Sequence, residues 1–384
     1  MSVKKLIMGT AALLLSGIGL TCAAVRIAQS GISPPIGLLA AEMTLPTGTA
    51  DFPDDIPAVE AASQELSSPE EVSAEEASPS PAAPKPAAVP TVPPEPSDSG
   101  FEASAPTAEE LRQYEKSHEG EQQYPVRTFT TTLGNESYQN IQVRNSSSTD
   151  IDIEAESQAE LGFRLTKTDQ PQVLIYHTHT SESFLKYDTG YFYESYYPRS
   201  SDPSENVCAV GEELAKQLNA AGIVTLHDTT VHDDPSYSGA YDRSFDTVSR
   251  YLEEYPTIKV VLDIHRDGIG SDEEKSKPVF QADGRQAAQV MVLAGYNEDG
   301  CEEFQDWEYN LRFALQIQNE ASRRYPDMMR PLYFSDFMYN MNVNTGSLLI
   351  EVGSESNTVE EVRYSGYLLG KVLAAVLAPA EQTS

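Results

Sequence analysis

Between residues 172 and 378, short and almost wholly apolar runs alternate with amphipathic stretches of helical period. QVLIYHT (172–178), IVTLHD (223–228), IKVVLDIHRDG (258–268), QVMVLAGYN (289–297) and GSLLIEVGS (346–354) read as strands. Their apolar cores are continuous rather than alternating, as in strands buried on both faces. Between them, NVCAVGEELAKQLNAAG (206–222) places Val207, Val210, Leu214 and Leu218 on one side and ends at Gly222. YDRSFDTVSRYLEEYP (241–256) stops at Pro256, and two further helical stretches cover 307–326 and 358–378. Strand and helix alternating over short connections predict an α/β fold, a mostly parallel sheet covered by helices on both faces. RTFTTTL (127–133) and NIQVRN (140–145) add β-rich segments ahead of it, and IDIEAESQAELGF (151–163) a short helix.

The remainder of the 384 residues reads differently. Lys4 and Lys5 precede an uncharged stretch from Leu6 to Val25. That is about 20 residues, enough to span a bilayer. The lysines favour a cytoplasmic N-terminus, with everything beyond residue 25 outside the cell membrane. Residues 1–25 are therefore expected to be a single-pass anchor. The competing reading is a cleaved signal peptide, with Cys22 and Ala24 as small residues before the cut. Residues 26–121 are rich in Pro, Ala, Ser and Glu and poor in large apolar residues. They cannot bury enough surface to offset their ordering entropy, so a disordered tether is expected. The folded part, a catalytic or binding domain, is then 122–380. A net charge of −33 argues against nucleic acid and anionic surfaces as partners. With three cysteines, Cys22, Cys208 and Cys301, no disulfide framework is implied, though the last two could pair.

Three apolar runs end in ionisable residues. The first gives His177, His179 and Glu182; the second Asp263, His265, Arg266 and Asp267; the third Glu351. Charges at the ends of buried strands need a cleft, a partner or a metal. Ends of neighbouring parallel strands also converge at the ligand-binding edge of such a sheet. His179, Glu182 and His265 supply the three-ligand histidine–carboxylate set of a hydrolytic Zn2+, which leaves a fourth position for water. Glu351 is the candidate general base. His177 competes with His179 as ligand, and Glu205 and Glu213 compete with Glu182. Asp263 shares a strand face with His265 and suits the task of orienting it. Arg266 suits an oxyanion or a substrate carboxylate, or equally an ion pair with Asp263 or Asp267. His227, Asp228 and His232 read as a polar loop, and Cys208 as a core residue with no histidine near it in sequence.

VLIYHTHTSESF, NVCAVGEELAKQL, VVLDIHRDG and SLLIEVGSESNTVEEV together resemble stage II sporulation protein P, a family of membrane-anchored cell-wall hydrolases. The resemblance covers roughly residues 122–377. It implies a phosphorylase/hydrolase-like α/β fold similar to zinc-dependent N-acetylmuramoyl-L-alanine amidases. It also implies cleavage of the bond between N-acetylmuramic acid and the stem peptide, with an additional endopeptidase activity on cross-links. The setting is septum thinning and engulfment during sporulation, with peptidoglycan as substrate and sporulation proteins D and M as partners. The family's motifs fall on His179, Glu182, His265 and Glu351. In the broader zinc amidases the acidic ligand opens the first helix, which favours Glu205. FMYNMNV (337–343) departs from the more polar run expected before the last strand. Two other classes remain open on the sequence: a non-catalytic wall-binding scaffold, and a zinc carboxypeptidase-like enzyme that shares the His-x-x-Glu pair.

Overall fold

The computed structural model describes residues 100–378 except 104, 298 and 299. The anchor expected at 1–25 lies outside the described residues. Among the described residues, no helix is long and apolar enough to cross a membrane.

In chain order the elements are α1 (Ala108–Ser117), β1 (Gln123–Phe129), β2 (Glu136–Tyr138), β3 (Ile141–Asn145) and α2 (Ile153–Gln158). Then follow β4 (Val173–Tyr176), β5 (Tyr191–Tyr193), α3 (Cys208–Ala220), β6 (Thr225–His227) and α4 (Ala240–Glu254). Next come β7 (Val260–Asp267), β8 (Lys275–Ala282), β9 (Arg285–Ala288) and β10 (Val290–Gly295). The last are α5 (Trp307–Arg324), β11 (Leu332–Ser335), β12 (Ser347–Ser354) and α6 (Val359–Val376).

The main sheet has eight strands in the order β2-β3-β11-β10-β12-β7-β4-β6. It is mixed: five of its seven pairings are parallel and two are antiparallel, so the expected mostly parallel sheet holds only in part. β12, β7, β4 and β6 run parallel to one another, but β10 is antiparallel to β12 and β2 to β3. A second sheet, β5-β1-β8-β9, combines both senses as well. The apolar run of β10 fixes its burial but not its direction, which is why periodicity missed the reversal.

Strand alternation divides the core. Val173 and Ile175 of β4 join Val260, Leu262 and Ile264 of β7 in the large cluster built on α3, α5 and α6. Leu174, Tyr176 and Val261 point the other way and pack with Val248 of α4. Both faces are covered, but unequally. On the crowded face α3 and α6 approach closely because Gly366 and Gly370 lack side chains. A Cβ on Gly370 would lie 2.5 Å from the Gln217 Cβ, and one on Gly366 2.9 Å from the Val210 carbonyl oxygen. α6 starts at a capping box in which Thr358 and Glu361 satisfy each other's backbone N–H groups. Removing a fully buried side chain such as Leu262 costs about 2–5 kcal/mol.

The segment expected to be tether contains folded structure at its end. α1 carries its own capping box, Thr107 with Glu110. Tyr114 packs edge-on against Tyr187 and Tyr193, His118 stacks on Tyr193 at 4.2 Å, and Phe101 lies 4.9 Å from Tyr364 of α6. The polar composition of 100–121 hides a short amphipathic helix and one aromatic anchor.

Candidate active site

β4 ends at Tyr176, and the next six residues turn sharply instead of extending the strand. That turn separates the two histidines. Thr178 is its pivot: its N–H donates to Asp263 Oδ1 at 2.8 Å and its hydroxyl to Asp263 Oδ2 at 2.6 Å. His177 swings to the α3 side, with Nδ1 2.9 Å from the Ile264 carbonyl oxygen and Nε2 2.8 Å from His227 Nε2. His179 instead faces His265, with ring centroids 5.4 Å apart and planes at 86°. One turn later the Glu182 N–H donates to the His179 carbonyl oxygen at 3.0 Å, which returns the Glu182 side chain to the same place. The i, i+3 spacing is thus the spacing of one reverse turn.

His265 and Glu351 arrive from the sheet. Parallel register sets Glu351 of β12 beside His265 of β7, and Leu349 beside Asp263. Both strands present these residues on the α4 side. His265 Nδ1 is 3.4 Å from Glu182 Oε2, and His265 Nε2 is 3.0 Å from Asp263 Oδ1. The Arg266 backbone N–H also donates to Glu182 Oε2, at 3.3 Å. His179, Glu182, His265, Asp263 and Glu351 are all buried.

The electrostatics follow from that burial. Desolvation disfavours the His265 cation, but Asp263 and Glu182 on its two sides outweigh it and hold its pKa well above the ordinary range. Burial opposes ionisation of Glu182 too, yet Arg266, His265 and His179 hold its pKa well below that of a free carboxylate. Burial pushes His179 down to about 4, against the pull of Glu182. Glu351 is pushed up to about 8, first by burial and then by Asp267. Two carboxylates in one cleft therefore prefer opposite protonation states, the pattern expected where one ligates and the other moves a proton.

The donor set fits a zinc ion. His179 Nδ1, His265 Nε2 and Glu351 Oε2 are buried without a hydrogen-bond partner, although Asp263 Oδ1 lies 3.0 Å from His265 Nε2, and orphaned buried polar atoms of this kind call for a ligand. Asp263 beside Nε2 of His265 leaves Nδ1 aimed at Glu182, the carboxylate-supported arrangement of many ligating histidines. Two competitors are engaged elsewhere: Glu213 pairs with Arg363 of α6, and His177 pairs with His227. Glu205 lies beside the same turn, its carbonyl accepting from the Phe184 N–H at 3.2 Å and its carboxylate from the Ser200 hydroxyl at 3.1 Å. The side chain of Arg266 donates to the Pro198 and Asp267 carbonyl oxygens, while Asp267 pairs with Arg330 at 2.7 Å. The expected ion pair of Arg266 with Asp263 or Asp267 is replaced by these contacts.

Sequence reasoning missed an aromatic wall. Tyr237 stacks on His179 at 4.1 Å, Tyr241 lies parallel to His265 at 6.4 Å, and Tyr339 stacks on Tyr241. Phe337 and Tyr339 belong to FMYNMNV, so the apolar departure noted there lines the site. Arg199 lies over the Tyr237 ring and pairs with Asp233, whose carboxylate also accepts from Ser181. His232, read as a surface loop residue, is buried between the His177 carbonyl oxygen and Thr247. Cys208 does have histidines beside it in space: its thiol and the rings of His177 and His227 offer ligand atoms within 4.8 Å of one another. Burial pushes that thiol up to about 12, so it is no free nucleophile. Cys208 and Cys301 are both free cysteines.

A mixed α/β domain with a buried histidine–carboxylate centre at its strand ends is the class that fold and site define. The match to the family "Stage II sporulation protein P (SpoIIP)" extends over residues 96–374, and the chain belongs to that family. It is 24% identical over 230 residues to the stage II sporulation protein P of Bacillus subtilis (strain 168), covering 57% of this chain and 54% of that protein. The chain thus spans about half the length of the curated relative it matches. Similar solved structures include the N-acetylmuramoyl-L-alanine amidase AmiC2 of Nostoc punctiforme, with 13% identity and a TM-score of 0.31 over 54% of this chain and 94% of that one. Another is an N-acetylmuramoyl-L-alanine amidase of Clostridium difficile 630, with 14% identity and a TM-score of 0.32 over 55% and 96%. The CwlD amidase of Clostridioides difficile, solved in complex with the GerS lipoprotein, has 14% identity and a TM-score of 0.29 over 53% and 99%.

Proposed function

We propose that this chain is a zinc-dependent N-acetylmuramoyl-L-alanine amidase of the sporulating cell wall. It would hydrolyse the amide between N-acetylmuramic acid and the L-alanine of the stem peptide. The single observation that carries the reading is the convergence of His179, Glu182 and His265 in one buried cluster with Glu351 on the adjacent strand. Family membership supports the wall as the setting. Anchoring in the septal membrane by residues 1–25, a tether beyond them, and work alongside sporulation proteins D and M belong to the same proposal.

His179, Glu182 and His265 would hold the metal. A zinc ion there supplies Lewis acidity, polarising a carbonyl and lowering the pKa of water. Burial keeps Glu351 largely protonated without metal, and the positive charge of a bound zinc would favour its ionised form; as the carboxylate it takes a proton from the attacking water and returns it to the leaving amine nitrogen. Asp263, held by Thr178, lies 3.0 Å from His265 Nε2 and would favour one orientation of its ring electrostatically. Arg266 positions Glu182 through its backbone N–H, and its guanidinium adds positive charge against both carboxylates. The aromatic wall of Tyr237, Tyr241 and Tyr339 shields the centre from water.

Mass spectrometry of the products released from purified sacculi tests the proposal. Intact stem peptides released with unbroken glycan support it. Shortened stems still attached to sugar would replace it with a peptidase.

A further inference from the structure

We propose that His177, His227 and Cys208 form a second metal site, taking one Zn2+ on the face of the sheet opposite the catalytic centre. Its residues come from three elements that the fold brings together: the end of β4, the end of β6 and the first turn of α3. Their ligand atoms lie within 4.8 Å of one another. His177 and Cys208 are buried, and His227 is half-buried at the sheet edge.

The hydrogen bonds already select the ligating atoms. The Ile264 carbonyl can only accept, so His177 Nδ1, 2.9 Å away, carries the ring proton. That leaves the Nε2 lone pair directed at the cluster, with the backbone-supported tautomer of many metal-ligating histidines. Nε2 of His177 lies 2.8 Å from Nε2 of His227, a hydrogen-bond distance. Two imidazoles on one tetrahedral zinc, each bonded at about 2.0–2.1 Å, hold their nitrogens about 3.3–3.4 Å apart. Half an ångström of movement by His227, on the edge strand β6, converts the one arrangement to the other. The exchange balances. His227 moves its ring proton from Nε2 to Nδ1, the Cys208 thiol releases one proton to solvent, and both Nε2 lone pairs and the thiolate go to the metal.

The surroundings support the same ion. Cys208 opens α3 with its backbone N–H held by Asn206 Oδ1 at 2.9 Å; the positive helix end offsets only part of the burial that pushes the thiol up, so the metal itself must draw off the proton. Gly211, one turn on, supplies the room: a Cβ there would lie 2.4 Å from His227 Nε2 and 2.9 Å from His177 Nε2. One thiolate and two imidazoles suit zinc and exclude magnesium and calcium, which take oxygen. His227 is only half-buried, which leaves a side from which a solvent molecule would complete the coordination. An ion here would clip the end of β4 to α3 two residues before His179, bracing the turn that sets the catalytic histidine.

The test uses the full chain stripped of metal and refilled with Zn2+ or Co2+. Wild type should take up two metal ions per chain, and Cys208→Ser and His227→Gln one each, all with an unchanged far-ultraviolet spectrum. The Co2+ protein should show thiolate-to-cobalt charge transfer in the near ultraviolet. That band should vanish in Cys208→Ser but persist in His179→Ala/His265→Ala, which separates this site from the catalytic one. A wild-type protein with no thiolate band overturns the proposal. So does a band that survives in Cys208→Ser, or one that disappears when only His179 and His265 are changed.

Discussion

Glu351 stands beside His265 across the parallel register of β12 on β7, and both residues project toward α4. The candidate base and one candidate ligand are thereby carried on adjacent, fully buried strands. The other two candidate ligands, His179 and Glu182, come from a turn that Asp263 holds to the same strand through Thr178. Mutations on the sheet and on the turn should therefore separate proton transfer from metal retention.

His179→Ala and His265→Ala each remove one of three proposed protein ligands. Zinc at the catalytic site and hydrolysis should fall together. Glu351→Gln keeps the side-chain volume but removes its basicity. It should retain the metal and lose hydrolysis by about 10²–10⁴-fold, the usual contribution of a general acid–base group. Metal analysis alongside dye release from labelled sacculi checks this. If Glu351→Gln loses the metal while Glu182→Gln keeps it, the two carboxylates have exchanged roles.

Metal uptake at this centre should release a proton. Asp263 and Glu182 hold the pKa of His265 well above its ordinary value, against the cost of burial, so its imidazole is a cation at neutral pH. The sign follows. In protein stripped of metal, the stabilisation from charged His265 is complete below its unfolded pKa of about 6.5. It is lost as pH rises through the raised folded value. Zinc competes with the proton on this ring, so apparent affinity should rise with pH. Calorimetry of zinc binding to Cys208→Ser, in two buffers of different ionisation enthalpy, reads the protons directly. Equal enthalpies in both buffers would show that His265 starts neutral.

Much of this centre was legible because buried strands cannot end in His, Asp and Glu without a reason. IYHTHT, LDIHRD and LIEVGS announced the three ends, and parallel neighbours bring such ends together. What stayed hidden depends on direction and distance. The apolar run of β10 does not say that it reverses beside β12. Two histidines spaced by one residue read as one face of a strand, but the strand stops at Tyr176 and sends them apart. The neighbours of Cys208 lie 31 positions before it and 19 after, so no local pattern joins them. The β8–β9 hairpin does carry a signal, in its turn. Asp283–Gly284 has two successive positive φ angles, 49° and 76°, as a tight hairpin turn requires.

The ordered stretch before β1 sets where a soluble fragment can begin. Phe101 against Tyr364, and Tyr114 against Tyr187 and Tyr193, bury aromatic surface that a fragment starting at 122 lacks. Two half-buried aromatic side chains are worth about 2–3 kcal/mol together. At roughly 2–4 °C per kcal/mol, the 122 fragment should melt about 5–10 °C below one starting at 100. Differential scanning calorimetry of the two fragments decides. Identical melting would mean that α1 rests on the domain without stabilising it.

Tyr237 covers one face of the His179 ring and is itself 47% exposed. Tyr237→Phe keeps the stack and should leave kcat/KM nearly unchanged. Tyr237→Ala removes an aromatic contact worth about 0.5–1.5 kcal/mol, so kcat/KM should fall roughly 2- to 12-fold. The Tyr237 hydroxyl takes part in the reaction if Phe is as impaired as Ala.

Gly211→Ala sets two effects of opposite sign against each other. In the interior of α3, alanine is the better helix former by about 0.8–1.0 kcal/mol. Against this, the new Cβ would lie 2.4 Å from His227 Nε2 and 2.9 Å from His177 Nε2. His177 has little freedom to yield, since its Nδ1 is tied to the Ile264 carbonyl oxygen. His227 must move, and the contact between the two rings breaks. Overpacking of this kind costs about 1–3 kcal/mol, so the clash should win. The net result should be a loss of up to about 2 kcal/mol, read as a lower urea midpoint at unchanged slope. A urea midpoint above that of wild type would show that helix propensity dominates and that His227 swings away freely.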